Sequence, residues 1–266
     1  MTDITRRTID TARGPMTWLE AGAGWPLVLL HAFPLTAEMW RPQLERVPAD
    51  WRFMAPELSS AVPASGERTI DDYAADVGAL LDALKVDEAV IGGLSMGGYI
   101  AFALFRRSPE LFSGMILADT RPQADSPQGR DGRAKMRELV AREGVGAIAD
   151  QMLPRLLSKQ TMAERPELVR RVREIIESNS PRGVDAALDA MMTRPDSTPD
   201  LARMSCATLV IVGEEDAVTP PTEADAMHQA IERSVLVPLA GAAHLSSLEQ
   251  PDAFSRAIAD FLLSHI

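Results

Sequence analysis

The chain has 266 residues, 46% hydrophobic and 24% charged, a composition that suits one α/β domain with a substantial core and excludes a disordered or low-complexity polypeptide. Twenty-seven basic residues against 38 acidic ones leave a formal charge of −11, which argues against nucleic acid or an anionic membrane surface as a partner. A single cysteine, Cys206, excludes an internal disulfide and a multi-cysteine metal site, and the four histidines are scattered. No metal and no cofactor is expected. The opening MTDITRRTIDTARGP is too polar for a secretion signal, and no later run approaches the ~18 apolar residues of a membrane span. The expected location is the cytoplasm.

In chain order, Thr8 to Thr11 and Met16 to Ala21 read as a hairpin turning at Arg13-Gly14-Pro15. LVLLH, from Leu27 to His31, is apolar without alternation and reads as a buried strand, followed by a helix from about Thr36 to Val47. Arg52 to Ala55 is the next strand. Thr69-Ile70-Asp71-Asp72 opens a helix with Thr69 as N-cap, because Tyr73, Val77, Leu80, Leu81 and Leu84 recur at helical spacing. Ala89 to Gly92 is a strand, Met96 to Arg107 a helix stopped near Ser108-Pro109, and Gly114 to Ala118 a further strand.

From Arg121 to Arg203 the strand rhythm stops. Helical stretches at Arg130 to Arg142, Val145 to Leu157, Pro166 to Ser178 and Arg182 to Met192 follow a Pro- and Gly-rich entry, RPQADSPQGRDG. Strands resume at Thr208 to Val212 and Val235 to Leu239, with helices from Pro221 to Ile231 and Pro251 to Leu263. Alternation of this kind predicts a mostly parallel sheet covered by helices on both faces.

The strongest chemical signal is Gly93-Leu94-Ser95-Met96-Gly97, a GxSxG pattern set between a strand and a helix. An abrupt strand-to-helix turn would hold Ser95 in a strained conformation at the carboxyl edge of the sheet, and glycines on either side would remove colliding side chains. A glycine-rich turn that only permits close helix packing is the plainer alternative.

With this motif in place, the chain resembles the α/β-hydrolase superfamily of serine hydrolases over nearly its whole length. The resemblance implies an eight-stranded, mostly parallel sheet with helices on both faces, in which residues 1–120 and 204–266 form the core and residues 121–203 an inserted helical lid. His31-Ala32-Phe33-Pro34 resembles the superfamily's HGFP-type oxyanion turn, with Ala32 in place of glycine. It implies that the backbone N–H groups of Phe33 and Met96 form the oxyanion hole. Gly213 to Pro220 resembles a Gly-x-x-Asp-x-x-x-Pro loop, which makes Asp216 the expected acid; Glu214, Glu215 and the strand-end Asp119 compete.

Among the histidines, His265 is penultimate, His228 sits inside a helix and His31 belongs to the oxyanion turn. His244, in Gly241-Ala242-Ala243-His244, matches the superfamily's histidine loop, with Glu249 and Pro251 beyond it. The order Ser95, Asp216, His244 is that of the superfamily. Where relatives read Pro-Asp-Leu-Arg-Gly after the fourth strand, this chain departs with Pro56-Glu57-Leu58-Ser59-Ser60.

The HAFP turn is similar to those of small-molecule esterases, enol-lactonases, cofactor-free perhydrolases and C–C hydrolases. The expected activity is cleavage of small to medium carboxylic esters through an acyl-enzyme on Ser95. A lactone substrate, or perhydrolysis or C–C cleavage by the same triad, is an alternative, and a pocket protein without turnover is one of another class. Leu94, Met152, Leu156 and Met191 are candidates for the substrate pocket.

Overall fold

The computed structural model describes residues 3–58 and 67–266. An eight-stranded sheet runs in the order β1-β2-β4-β3-β5-β6-β7-β8. The strands are β1 (Thr5–Thr11), β2 (Gly14–Gly22), β3 (Trp25–Leu30), β4 (Trp51–Pro56), β5 (Ala89–Leu94), β6 (Phe112–Ala118), β7 (Ala207–Gly213) and β8 (Ser234–Leu239). β2 pairs antiparallel with β1 and β4, and every other pairing is parallel.

The interior strands β5 and β7 are buried at every residue, while the edge strand β1 is exposed or half-buried throughout. This is why the central strands are unbroken apolar runs in sequence: a strand covered on both faces has no solvent side on which to alternate.

The helices are α1 (Arg41–Leu44), α2 (Ile70–Leu84), α3 (Met96–Arg107), α4 (Pro127–Glu143), α5 (Val145–Leu156), α6 (Lys159–Glu164), α7 (Pro166–Glu177), α8 (Pro181–Met192), α9 (Pro221–Ala230), α10 (Ser246–Glu249) and α11 (Pro251–His265). Register shows that they cover both faces. Val90 of β5 lies opposite Gly114 of β6, where a Cβ would meet Phe261 of α11. Three residues on, Gly93 points the other way, against α3. α2 packs on α3, and α9 on β7 and β8.

Between β6 and β7 the chain forms α4 to α8 and a 3₁₀ turn at Thr198–Arg203, with no strand. α4 packs on α8 and α5, and α7 packs on α5 and α6.

One expected element is shorter than its pattern suggests. The helix expected over Thr36 to Val47 is a 3₁₀ turn at Ala37–Trp40, capped by Thr36, followed by the four-residue α1. Pro42 has no N–H to give to the Glu38 carbonyl, so the α ladder cannot run through it. Arg41 N–H serves that carbonyl instead, in the tighter winding. Pro48 then disfavours helical backbone at Val47.

Thr69 caps α2 as expected. Its hydroxyl accepts from Asp72 N at 3.1 Å, and the Asp72 carboxylate accepts from Thr69 N at 3.0 Å. This reciprocal pair fixes the start of a helix that supports α3 and the turn before it. Thr69→Ala is expected to lower stability by about 1 kcal/mol, measured as a shift in urea midpoint with unchanged slope; no shift would show that the cap contributes nothing.

Candidate active site

β5 ends at Leu94 and α3 begins at Met96, so the whole change of direction falls on Ser95, at φ 55° and ψ −112°. A non-glycine residue there is strained by about 1–3 kcal/mol, and surrounding contacts must hold it in place. Ser95 N–H donates to Ala118 O at 3.0 Å, and Thr120 Oγ1 donates to Ser95 O at 2.8 Å. A Cβ on Gly93 would lie 2.1 Å from the Gly97 carbonyl carbon, and one on Gly97 would lie 2.1 Å from Leu30 O. Both positions therefore require glycine.

The hydroxyl of Ser95 lies 2.9 Å from His244 Nε2. His244 Nδ1 lies 2.8 Å from Asp216 Oδ2. The Asp216 carboxylate also accepts from Val218 N, Thr219 N and Thr219 Oγ1. Because this side of the ring faces a carboxylate, Nδ1 carries the proton and Nε2 offers its lone pair to Ser95.

Burial pushes the Asp216 carboxyl up, but its electrostatic attraction to the His244 ring, the hydrogen bond between them and those from Thr219 outweigh it, and Asp216 stays below its ordinary range. All three groups are buried. The arrangement can take a proton from a hydroxyl and hold the resulting imidazolium beside a carboxylate.

Two backbone bonds join the acid and histidine loops: Glu215 N–H donates to Ala242 O and Glu214 N–H to Leu239 O. Glu249 fixes the histidine loop from the other side, accepting from Ala243 N at 2.7 Å and from Ser158 N, before α6, at 2.9 Å. Glu214 and Glu215, which compete with Asp216 in sequence, are exposed. Asp119 is buried beside the site, yet its partners are Gly213 N, at 2.8 Å, and Ser246 Oγ rather than His244. His228 bonds the Ser234 hydroxyl at the surface, and His265 stacks on Phe261.

In the HAFP turn, Leu35 N–H donates to Ala32 O at 2.9 Å, and His31 Nδ1 lies 3.1 Å from Ala32 O. His31 Nε2 accepts from Leu58 N at 3.1 Å, which fixes the turn against the segment after β4. Of the residues that depart from the family pattern in that segment, Ser59 and Ser60 lie outside the described residues.

A cavity of about 60 Å³ opens on Ser95 and His244, lined also by Phe33, Tyr99, Arg121, Arg133, Met152, Met191, Val218 and Thr219. Met152 and Met191 thus reach the site. Leu94 and Leu156, also expected in the pocket, lie outside this lining. Both side chains are fully buried in the core, and Leu156 meets the histidine loop through its backbone, accepting from Leu245 N. Met96 lies beside His31, Phe33 and Pro34 in a smaller adjoining recess, and its N–H is one of the donors that the first turn of α3 leaves without a helical acceptor. Tyr99, Arg121, Arg133, Val218 and Thr219 were not among the residues expected from the sequence. Arg121 had one readable signal, its place just beyond the carboxyl end of β6, where open sheets of this kind bind ligands.

A family profile described as the alpha/beta hydrolase family matches residues 27–257, and the chain belongs to this family. It is 32% identical over 200 residues to 3-oxoadipate enol-lactonase 2 of Acinetobacter baylyi, covering 75% of this chain and 73% of that one. Its fold superposes on a thermophilic esterase from Thermogutta terrifontis, in a malate-bound structure, with TM-score 0.92 and 38% identity, covering 98% of this chain and all of that one. The enol-lactonase from Burkholderia xenovorans LB400 gives TM-score 0.88 at 26% identity, covering 97% of this chain and all of that one.

Asp119 makes the pH response of stability testable. Burial and then the charge of Asp216 push its carboxyl well above the ordinary range, and the donors Ser246 and Gly213 offset this only in part. Above the unfolded value of about 3.9 the unfolded chain has lost this proton while the folded chain keeps it, so this residue's contribution to stability falls as pH rises toward the folded value. Asp119→Asn removes the ionisation. Its stability relative to the parent protein is expected to improve as pH rises above about 4 in urea titrations; a constant difference would contradict the shift.

Proposed function

We propose that the protein is a serine hydrolase of small carboxylic esters that works through an acyl-enzyme on Ser95. The observation that carries this reading is the continuous hydrogen-bonded line from Ser95 Oγ through both nitrogens of His244 to Asp216, with Ser95 on a strained turn that presents its hydroxyl to the cavity.

In the proposed mechanism, His244 Nε2 takes the Ser95 proton as the oxygen attacks the ester carbonyl. Asp216 holds the Nδ1–H tautomer and stabilises the imidazolium. The N–H groups of Phe33 and Met96 receive the developing oxyanion. His244 then returns its proton to the leaving alcohol, and water, activated by the same nitrogen, releases the acid. A lactone is an ester closed on itself and requires no further group.

Residues 121–203 act in this reading as the lid over the site, since Met152 of α5 and Met191 of α8 line the cavity. A volume of about 60 Å³ supports a short acyl group, well below the roughly 300–1,000 Å³ of sites for drug-sized ligands. The enol-lactonase and esterase relatives support the same bond class.

Release of p-nitrophenol from the acetate and butyrate esters tests this. Ser95→Ala is expected to abolish enzymatic release, and Asp216→Asn to lower kcat by roughly 10⁴-fold, because the wrong tautomer then faces the serine. Equal rates for the parent protein and Ser95→Ala would remove Ser95 as nucleophile.

A further inference from the structure

Asp125 lies between β6 and α4 and is buried. Three guanidinium groups meet its one carboxylate: Arg133 of α4, Arg194 just beyond α8 at 2.7 Å, and Arg121 at 3.4 Å. Burial pushes the Asp125 carboxyl up, but the hydrogen bonds and charges of Arg133 and Arg194 hold it below the ordinary range. Among the described residues, one negative charge meets three positive ones and leaves two uncompensated, in a chain whose overall charge is −11.

Convergence alone does not make a ligand site, because Arg6, Arg41 and Arg171 also meet at Glu38, on the surface. At Asp125, by contrast, Arg121 and Arg133 line the same cavity as Ser95 and His244. Arg194 is committed elsewhere: it lies 4.0 Å over the Tyr99 ring and donates to Met191 O and Gln123 O as well as to Asp125. Its role is to hold Asp125 in place. Arg121 makes one long contact with Asp125, and its Nε is buried without a hydrogen-bond acceptor among the described residues. A buried donor on a charged group that lacks an acceptor is unfavourable, and a planar guanidinium matches a carboxylate in two parallel bonds.

We propose that Arg121 and Arg133 form a carboxylate subsite within the active-site cavity, so that the substrate is an ester or lactone carrying a second, free carboxylate. This assignment of substrate class rests on the reading of Ser95 as the nucleophile. The arginines position the substrate by its charge, and Asp125, held by Arg194, keeps them directed at the cavity.

Matched ester pairs test the proposal. Monomethyl glutarate against methyl pentanoate places the carboxylate on the acyl side; 4-acetoxybutanoate against butyl acetate places it on the alcohol side. In the parent protein one of the two charged esters is expected to exceed its neutral partner in kcat/KM by about tenfold or more. Arg121→Gln is expected to reduce that ratio about tenfold, and Arg121→Lys, which keeps the charge without the fork, to retain part of it.

Calorimetric titration with glutarate gives a readout independent of turnover, with weaker binding expected in Arg121→Gln than in Arg121→Lys. If neither pair is turned over but glutarate binds and Arg121→Gln weakens it, the subsite stands and the ester reading falls. Ratios near one, ratios that Arg121→Gln leaves unchanged, or no glutarate binding in a protein that turns over neither pair would overturn the proposal.

Discussion

A side chain at residue 97 would place its Cβ 2.1 Å from the carbonyl oxygen of Leu30, and one at residue 93 would meet the Gly97 backbone at the same distance. With both absent, α3 settles directly on β3 and β5, and the chain can reverse over one residue. The consequence is local strain at Ser95, held by a bond from its N–H to β6 and one to its carbonyl from Thr120. Without this close approach of helix to strand, the serine hydroxyl would not stand at the carboxyl edge of the sheet. The acid and histidine loops, which leave β7 and β8 at that same edge, would then have nothing to meet.

The rest of the site is built by joining loops from different strands rather than by any one of them. Glu215 and Glu214 backbone groups hold the acid loop to the histidine loop, Glu249 ties the histidine loop to the start of α6, and Asp119 links β7 to Ser246. Burial acts on the two neighbouring aspartates in opposite net directions. Asp216 has the His244 ring and several donors beside it and stays ionised, whereas Asp119, more deeply buried and with a like charge nearby, is pushed toward its neutral form. Two carboxylates so close together can share the site because only one of them is held strongly as an anion.

The central strands were legible because a strand buried on both faces must be apolar throughout, and the cap of α2 because Thr69 and Asp72 can satisfy each other. The turn at Ser95 was legible for the same kind of reason: only glycine fits at positions 93 and 97. The segment at Thr36 to Val47 misled, since its apolar spacing fits a helix while Pro42 interrupts the ladder, an effect that periodicity does not weigh.

Met152 and Met191, expected for their apolar type, line the cavity, but Leu94 and Leu156 share that type and face the core, and nothing local in a sequence separates the two cases. The arginine cluster was hidden for a different reason. Arg121, Arg133 and Arg194 are spread over 74 positions, and only the packing of α4 and α8 brings them to one carboxylate.

Labelling with a fluorophosphonate, followed by peptide mapping, tests the central claim most directly, because this reagent reports an activated serine whatever the natural substrate is. The account predicts a single adduct on the peptide containing Ser95, lost in His244→Ala and prevented by prior incubation with a short-chain ester. An adduct on another serine, such as the neighbouring Ser246 or Ser247, or no adduct on the folded protein, would contradict it.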